Sequence, residues 1–222
     1  MKLVALFSGG KDSVFAIQKA QEMGHSVEKL ATAISQKPES YIFYTPNVGL
    51  AFMQSRLLGM QLISKGSTGM DELESKDLKV LLTNLEVEGV VCGAVANKHQ
   101  KKMIVDVCKE LGLKALFPLW GKKPFDILKE MLEQKYEIMV TAAPKKGFTK
   151  TWLGKMIDKK AIASLKKKGI DISGESGKLE TLVLDCPIFS RKLEITKTEK
   201  ILEKNRLVYK IIDAKFVDKQ IL

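Results

Sequence analysis

The sequence predicts an α/β protein in which a doubly wound, parallel five-stranded sheet is followed by a second, smaller α+β domain. Three observations lead there. From Lys2 to Phe117, five short apolar runs alternate with segments of helical periodicity, the pattern of parallel strands joined by crossover helices that cover both sheet faces. The alternation breaks at Pro118-Leu-Trp-Gly-Lys-Lys-Pro124, where proline and glycine punctuate the chain. Beyond that point strand-like runs outnumber helical ones. The expected domains are therefore 1–121 and 122–222.

The elements follow in order. Residues 2–7 form an apolar first strand, and after a glycine-rich turn a helix runs to Met23 and stops at Gly24. Residues 27–34 are the second strand, 49–58 a helix closed by Gly59, and 61–64 the third strand. A charged helix spans 71–82, a short buried strand 89–93, a helix 98–111 ended by Gly112, and a fifth strand 114–117. Right-handed crossovers then place strand one at the centre, with the winding reversing between strands one and four and a ligand crevice at that switch. In the second half, 124–134 and 161–168 read as helices and 136–141, 179–184, 192–197 and 207–216 as strands. Trp120 and Trp152 are expected as buried anchors between the halves.

Composition narrows the class. A chain of 222 residues, 45% hydrophobic, supports a full core. No apolar run approaches the roughly 20 residues of a spanning helix, and the five apolar positions before Ser8 are too few for a signal-peptide core. A cytoplasmic protein without a membrane partner is expected. Cys92, Cys108 and Cys186 form no C-x-x-C, and His25 and His99 share no metal-ligand spacing with them, so reduced thiols, no structural zinc and no metal-ligating side chains are expected. Cys92 and Cys108 lie in apolar patterns and read as core. The formal charge of +11 raises the question of nucleic acid, but only Arg56, Arg191 and Arg206 are arginines, and bidentate phosphate and base contacts favour arginine. The lysines occur as pairs and triplets along helix surfaces. They read as a solvated face, with no dedicated nucleic-acid partner.

The segment Ser8-Gly-Gly-Lys-Asp-Ser13, between the first strand and its helix, is a phosphate site. A helix start leaves backbone N–H groups without intrachain partners at the positive end of the dipole. Gly9 and Gly10 allow close approach of the backbone to an anion, Ser8 and Ser13 add hydroxyls, and Lys11 adds a positive charge. A turn with an N-cap would explain one glycine and one serine only. The spacing is neither G-x-x-x-x-G-K-[ST] nor G-x-G-x-x-G. A second polar segment, Gly93-Ala-Val-Ala-Asn-Lys-His-Gln100, leaves the carboxyl end of strand four and should border the same crevice. Asn97 there serves equally well as a helix N-cap.

Ser8 to Ser13 resembles the PP-loop of the N-type ATP pyrophosphatases, which implies cleavage of ATP between the α and β phosphates. Further motifs in order make the whole chain similar to the diphthine–ammonia ligase family: the stretch from Gly93 to Gln100, Pro118-Leu-Trp120, Leu153-Gly154, the glycine-rich Gly174-Glu-Ser-Gly-Lys-Leu-Glu-Thr181 and Val183-Leu-Asp-Cys-Pro187. Ser176, Lys178 and Leu179 depart from that family's pattern. The resemblance implies a HUP-like, adenine nucleotide alpha hydrolase-like fold and the amidation of diphthine on translation elongation factor 2. Its carboxylate would attack ATP, with Mg²⁺ as a further cofactor, and ammonia would then displace AMP. Ser8, Gly9, Gly10, Lys11, Asp12, Ser13, Gly93 and Asn97 would bind the nucleotide. His99, Gln100, Gly174, Gly177, Lys178 and Thr181 would meet the acceptor. Lys11 would compensate charge, Glu175 would hold the acceptor and Glu180 would orient or deprotonate ammonia. No glutaminase signature is present, so free ammonia or another subunit is expected to serve. A PP-loop tRNA-modifying enzyme and a non-catalytic ATP-binding protein remain alternatives.

Overall fold

A computed structural model describes residues 1–35, 47, 49–67, 71–170, 172, 179–203 and 205–219. β1 (Lys2–Leu6) lies at the centre of a five-stranded sheet in which every pairing is parallel. Its neighbours are β2 (Ser26–Ser35) and β3 (Gln61–Ser67) on one side and β4 (Gly89–Val91) and β5 (Lys114–Leu116) on the other, in the order β3-β2-β1-β4-β5. The side chains of β1 alternate between two cores, as the pleat requires. Leu3 and Ala5 pack with Phe15 and Ile17 of α1 (Lys11–Glu22) and Leu57 of α2 (Leu50–Leu58). Val4 and Leu6 face Leu78 and Leu82 of α3 (Asp71–Leu82) and Ile104 and Val107 of α4 (Lys98–Glu110). Burial on both faces explains why β1 reads as an unbroken apolar run.

The second half begins with α5 (Pro124–Glu133), whose proline sits in the first helical turn where its missing N–H costs nothing. Next come β6 (Glu137–Pro144), a 3-10 turn (Lys150–Trp152) and α6 (Lys159–Lys167). Asp158 caps α6, its Oδ1 accepting from the Ala161 N–H at 2.6 Å. β7 (Glu180–Asp185), β8 (Lys192–Leu202) and β9 (Arg206–Val217) complete an antiparallel sheet ordered β7-β6-β9-β8. β8 runs to Leu202, beyond the expected end at Lys197, because its outer half pairs with β9 as far as Leu202 opposite Leu207. That part of the ribbon is exposed on both faces at Lys197, Glu199 and Lys200, so no alternation marks it.

One apolar cluster joins the halves: Phe15, Ile17 and Ala20 of α1 share it with Ile127, Leu128 and Met131 of α5 and Ile138 of β6. Tyr136 fixes the join. Its ring meets Phe15 edge-on at 5.6 Å, and its hydroxyl donates to Gln18 Oε1 at 2.6 Å while Gln18 Nε2 donates to Gln134 Oε1 at 2.6 Å. Burial raises the Tyr136 pKa and keeps that donor protonated. Trp152 is buried against Phe148. Trp120 differs from expectation: it is only partly buried, beside Phe117, with Lys101 Nζ 4.0 Å over its ring. The three thiols are buried and free. Among the described residues, no helix is long and apolar enough to cross a membrane.

Candidate active site

The loop between β1 and α1 is tied into a tight crook by its own serines. Ser13 Oγ donates to the Gly10 carbonyl at 3.0 Å and accepts from Ser8 Oγ at 3.2 Å, and the Gly10 N–H points at Ser8 Oγ at 3.3 Å. Gly9 has φ +76°, the left-handed region that favours glycine. Gly10 stands at the N-cap of α1 in extended geometry and has no side chain with which to cap it. The start of α1 therefore presents its dipole and N–H groups to whatever enters the crook. Lys11 is 2% exposed, and its Nζ lies 2.5 Å from Asp12 Oδ2. Burial raises the Asp12 pKa against the opposing pull of Lys11.

The second half of the chain roofs this loop. The Lys11 N–H donates to Thr181 Oγ1 at 3.2 Å, and the Val183 N–H donates to the Gly9 carbonyl at 3.2 Å. Gln54, fully buried on α2, bolts the two together: its Nε2 donates to Gly9 O at 2.9 Å and to Val183 O at 2.8 Å. Its Oε1 has no hydrogen-bond partner among the described residues. A Cβ on Gly9 would lie 2.0 Å from that oxygen, so the loop can pass Gln54 only as glycine. From the other side Gly93, just past β4, approaches α1 so closely that a Cβ would fall 2.4 Å from Asp12 O and 2.8 Å from Ser13 N.

Of the residues singled out from the sequence, the structure brings Ser8 to Ser13, Gly93 and Thr181 together. Asn97 caps α4, its Oδ1 accepting from the Gln100 N–H at 3.0 Å. His99 is exposed and lines an open groove of about 350 Å³ with Ser75 of α3 and Lys102, Met103 and Asp106 of α4. Glu180 forms an ion pair with Arg206 of β9. Because successive strand residues face opposite sides, Thr181 reaches the loop and Glu180 turns from it. Burial raises the Glu180 pKa although Arg206 pulls it down. Gly174, Glu175, Gly177 and Lys178 lie outside the described residues. Among the described residues, no three His, Cys, Asp or Glu side chains form a group that could hold a metal ion. Gln54 escaped the sequence reading. Its signal was a polar residue on the buried stripe of α2 with Leu50, Ala51 and Leu57.

Both halves match known families: the diphthamide synthase N-terminal domain over residues 1–115 and the diphthamide synthase C-terminal domain over 123–217. The diphthine–ammonia ligase of Homo sapiens is 28% identical over 228 residues, covering 91% of this chain and 85% of that protein. The diphthine–ammonia ligase of Schizosaccharomyces pombe is 32% identical over 222 residues, 90% of this chain and 37% of a much longer protein. A solved structure described as a predicted subunit of tRNA methyltransferase from Methanocaldococcus jannaschii aligns at TM-score 0.49 and 16% identity, covering 84% of this chain and 98% of that one. That likeness is too loose to bear on function.

Proposed function

The chain belongs to the diphthamide synthase family, and from that membership we propose that it is an ATP-dependent ligase converting the diphthine carboxylate of elongation factor 2 to its amide. Ammonia is the nitrogen donor, AMP and pyrophosphate are the by-products, and the cytoplasm is the working compartment. The observation that carries this reading is the start of α1 behind Gly9 and Gly10, which its own N-cap residue leaves without a side-chain cap and which β7 of the other half roofs through Thr181. Nucleotide and acceptor are thereby given adjoining walls.

The residues present suit ATP. At Gly10 the loop lies close against β7, and a Cβ there would stand 3.2 Å from Thr181 O and 3.4 Å from Ser8 Oγ, so a side chain would crowd the crook. Ser8, Ser13, Gly9 and the first-turn N–H groups of α1 beyond Lys11 would hold phosphate oxygens, and Lys11 would exchange Asp12 for the departing pyrophosphate. Gly93 shapes the wall behind them and Asn97 fixes the start of α4. Asp12 is the carboxylate that would help hold a magnesium ion, which would offset negative charge on the phosphates.

In the first step a diphthine carboxylate oxygen attacks the α phosphorus and the bond to the β phosphate breaks. In the second, ammonia adds to the acyl carbon, the bond to AMP breaks and ammonia loses a proton. Splitting the reaction replaces oxide, a poor leaving group, by AMP. Acceptor binding is assigned, by the family resemblance, to the segment from Gly174 to Thr181, with Glu175 and Lys178, together with His99 and Gln100. Glu180 would take the ammonia proton only when released from its ion pair with Arg206.

Incubation with ATP, ammonium and elongation factor 2 bearing diphthine tests this directly. AMP and the amide should appear together, and AMP formation should depend on the acceptor. ADP and phosphate as products would remove the chain from the proposed reaction.

A further inference from the structure

Positive charge is unevenly divided along the chain. Residues 122–222 hold 23 Lys and Arg against 14 Asp and Glu, and so carry most of the formal +11. Within them, residues 145–168 contain nine lysines and one acidic residue, Asp158. The fold gathers these lysines. Lys155 Nζ and Lys168 Nζ stand 4.7 and 5.7 Å from the same Trp152 ring centroid, Lys168 also donates to Gly147 O, and Lys200 of β8 donates to Lys150 O at 3.4 Å.

Among the described residues, Lys146, Lys150, Lys155, Lys159, Lys160 and Lys166 are exposed and pair with no carboxylate. Several lysines elsewhere are neutralised, among them Lys19 by Glu22 and Glu130, Lys79 by Glu110 and Lys102 by Asp106. Like charges crowded within about a Debye length repel, and an opposed surface relieves that repulsion.

We infer that the lysine face formed by the loop after β6, the 3-10 turn and α6 is the docking surface for an acidic face of the protein acceptor. The inference rests on the proposed function in one respect, that the acceptor is a side chain on a folded protein. Two features favour a carboxylate-bearing protein over nucleic acid. No arginine lies in residues 145–168, so bidentate phosphate and base contacts are missing. Phe148 and Trp152, the two aromatic rings within this segment, are each 6% exposed, so neither offers a face on which bases could stack. The same half of the chain carries β7, whose Thr181 touches the phosphate loop.

The test compares a patch variant, Lys146→Glu with Lys159→Glu and Lys160→Glu, against a control of equal charge change on the first half, Lys76→Glu with Lys109→Glu and Lys114→Glu. Glutamates at 159 and 160 fall in the first turn of α6, where the helix dipole favours them. For diphthine-bearing elongation factor 2 at low salt, the patch variant should raise KM by about tenfold, and the difference should shrink as salt is added. kcat and the KM for ATP should stay within about twofold of wild type, and the control should match wild type. Equal KM values for patch and control would overturn the docking surface while leaving the ligase reading intact. A patch variant that loses only affinity for a duplex RNA probe, at unchanged KM, would reassign the face to nucleic acid and also overturn it. Wild-type protein that amidates no acceptor would overturn the ligase reading, and the surface with it.

Discussion

Gln54 shows how much a single side chain can determine. Its two amide hydrogens satisfy buried carbonyls from different halves of the chain, and no flipped amide could do so, because both partners are acceptors. Gln54→Leu should cost about 2 kcal/mol by removing both bonds, although the Gly9 carbonyl keeps the Val183 N–H, and should raise the KM for ATP; denaturant titration and initial rates read the two effects. Gly93→Ala places a methyl against Asp12 O and Ser13 N. Overpacking of that kind costs about 1–3 kcal/mol, and because the strain falls on the first turn of α1, AMP formation should drop even where the melting temperature recovers with added stabiliser. For Glu180→Gln, the amide oxygen still accepts from Arg206, so amidation should stay within about tenfold of wild type. A loss of about 10²–10⁴ in amide formation would instead identify Glu180 as the general base.

Among elements, legibility followed local punctuation. The ends of α1, α2 and α4 were marked by Gly24, Gly59 and Gly112, and α3 occupies residues 71–82 as its periodicity indicated. The crook before α1 was visible because its glycines and serines are contiguous. Its roof was not visible from local pattern: Gln54 and Val183 are 129 residues apart, and Thr181 entered only through a motif resemblance. The outer half of β8 hid for a different reason, since a ribbon wetted on both faces needs no alternation. The turn after the 3-10 segment has its own constraint. Gly154 has φ +78°, and a Cβ would sit 2.7 Å from the Tyr209 ring on β9. Gly154→Ala should destabilise by more than the roughly 1 kcal/mol of a left-handed alanine alone, measured as a lowered melting temperature. Tyr209→Ala in the same background should recover only the steric part.

At the scale of the molecule, the shared core under α1 predicts one cooperative unit. The full chain should melt in a single calorimetric transition, and residues 1–121 expressed alone should bind a hydrophobic dye, because Phe15 and Ile17 would lose Tyr136, Ile127 and Met131. The thiols report on the same unit. Burial pushes Cys92 and Cys186 up to about 12 and Cys108 up to about 11. The unfolded chain therefore ionises its thiols first, so stability should fall as pH rises from about 9 toward those values. At pH 8 native protein should resist alkylation that goes to completion in denaturant, as mass spectrometry would show. The hydroxyl of Thr181, which already occupies the Lys11 amide, has an evolutionary corollary. A first half built in this way is not a free-standing cassette. Recombined with a different second half, it would be left with an unsatisfied amide at its first helical residue. Natural or designed chimaeras should therefore inherit the two halves together, or reinvent an oxygen in the same place.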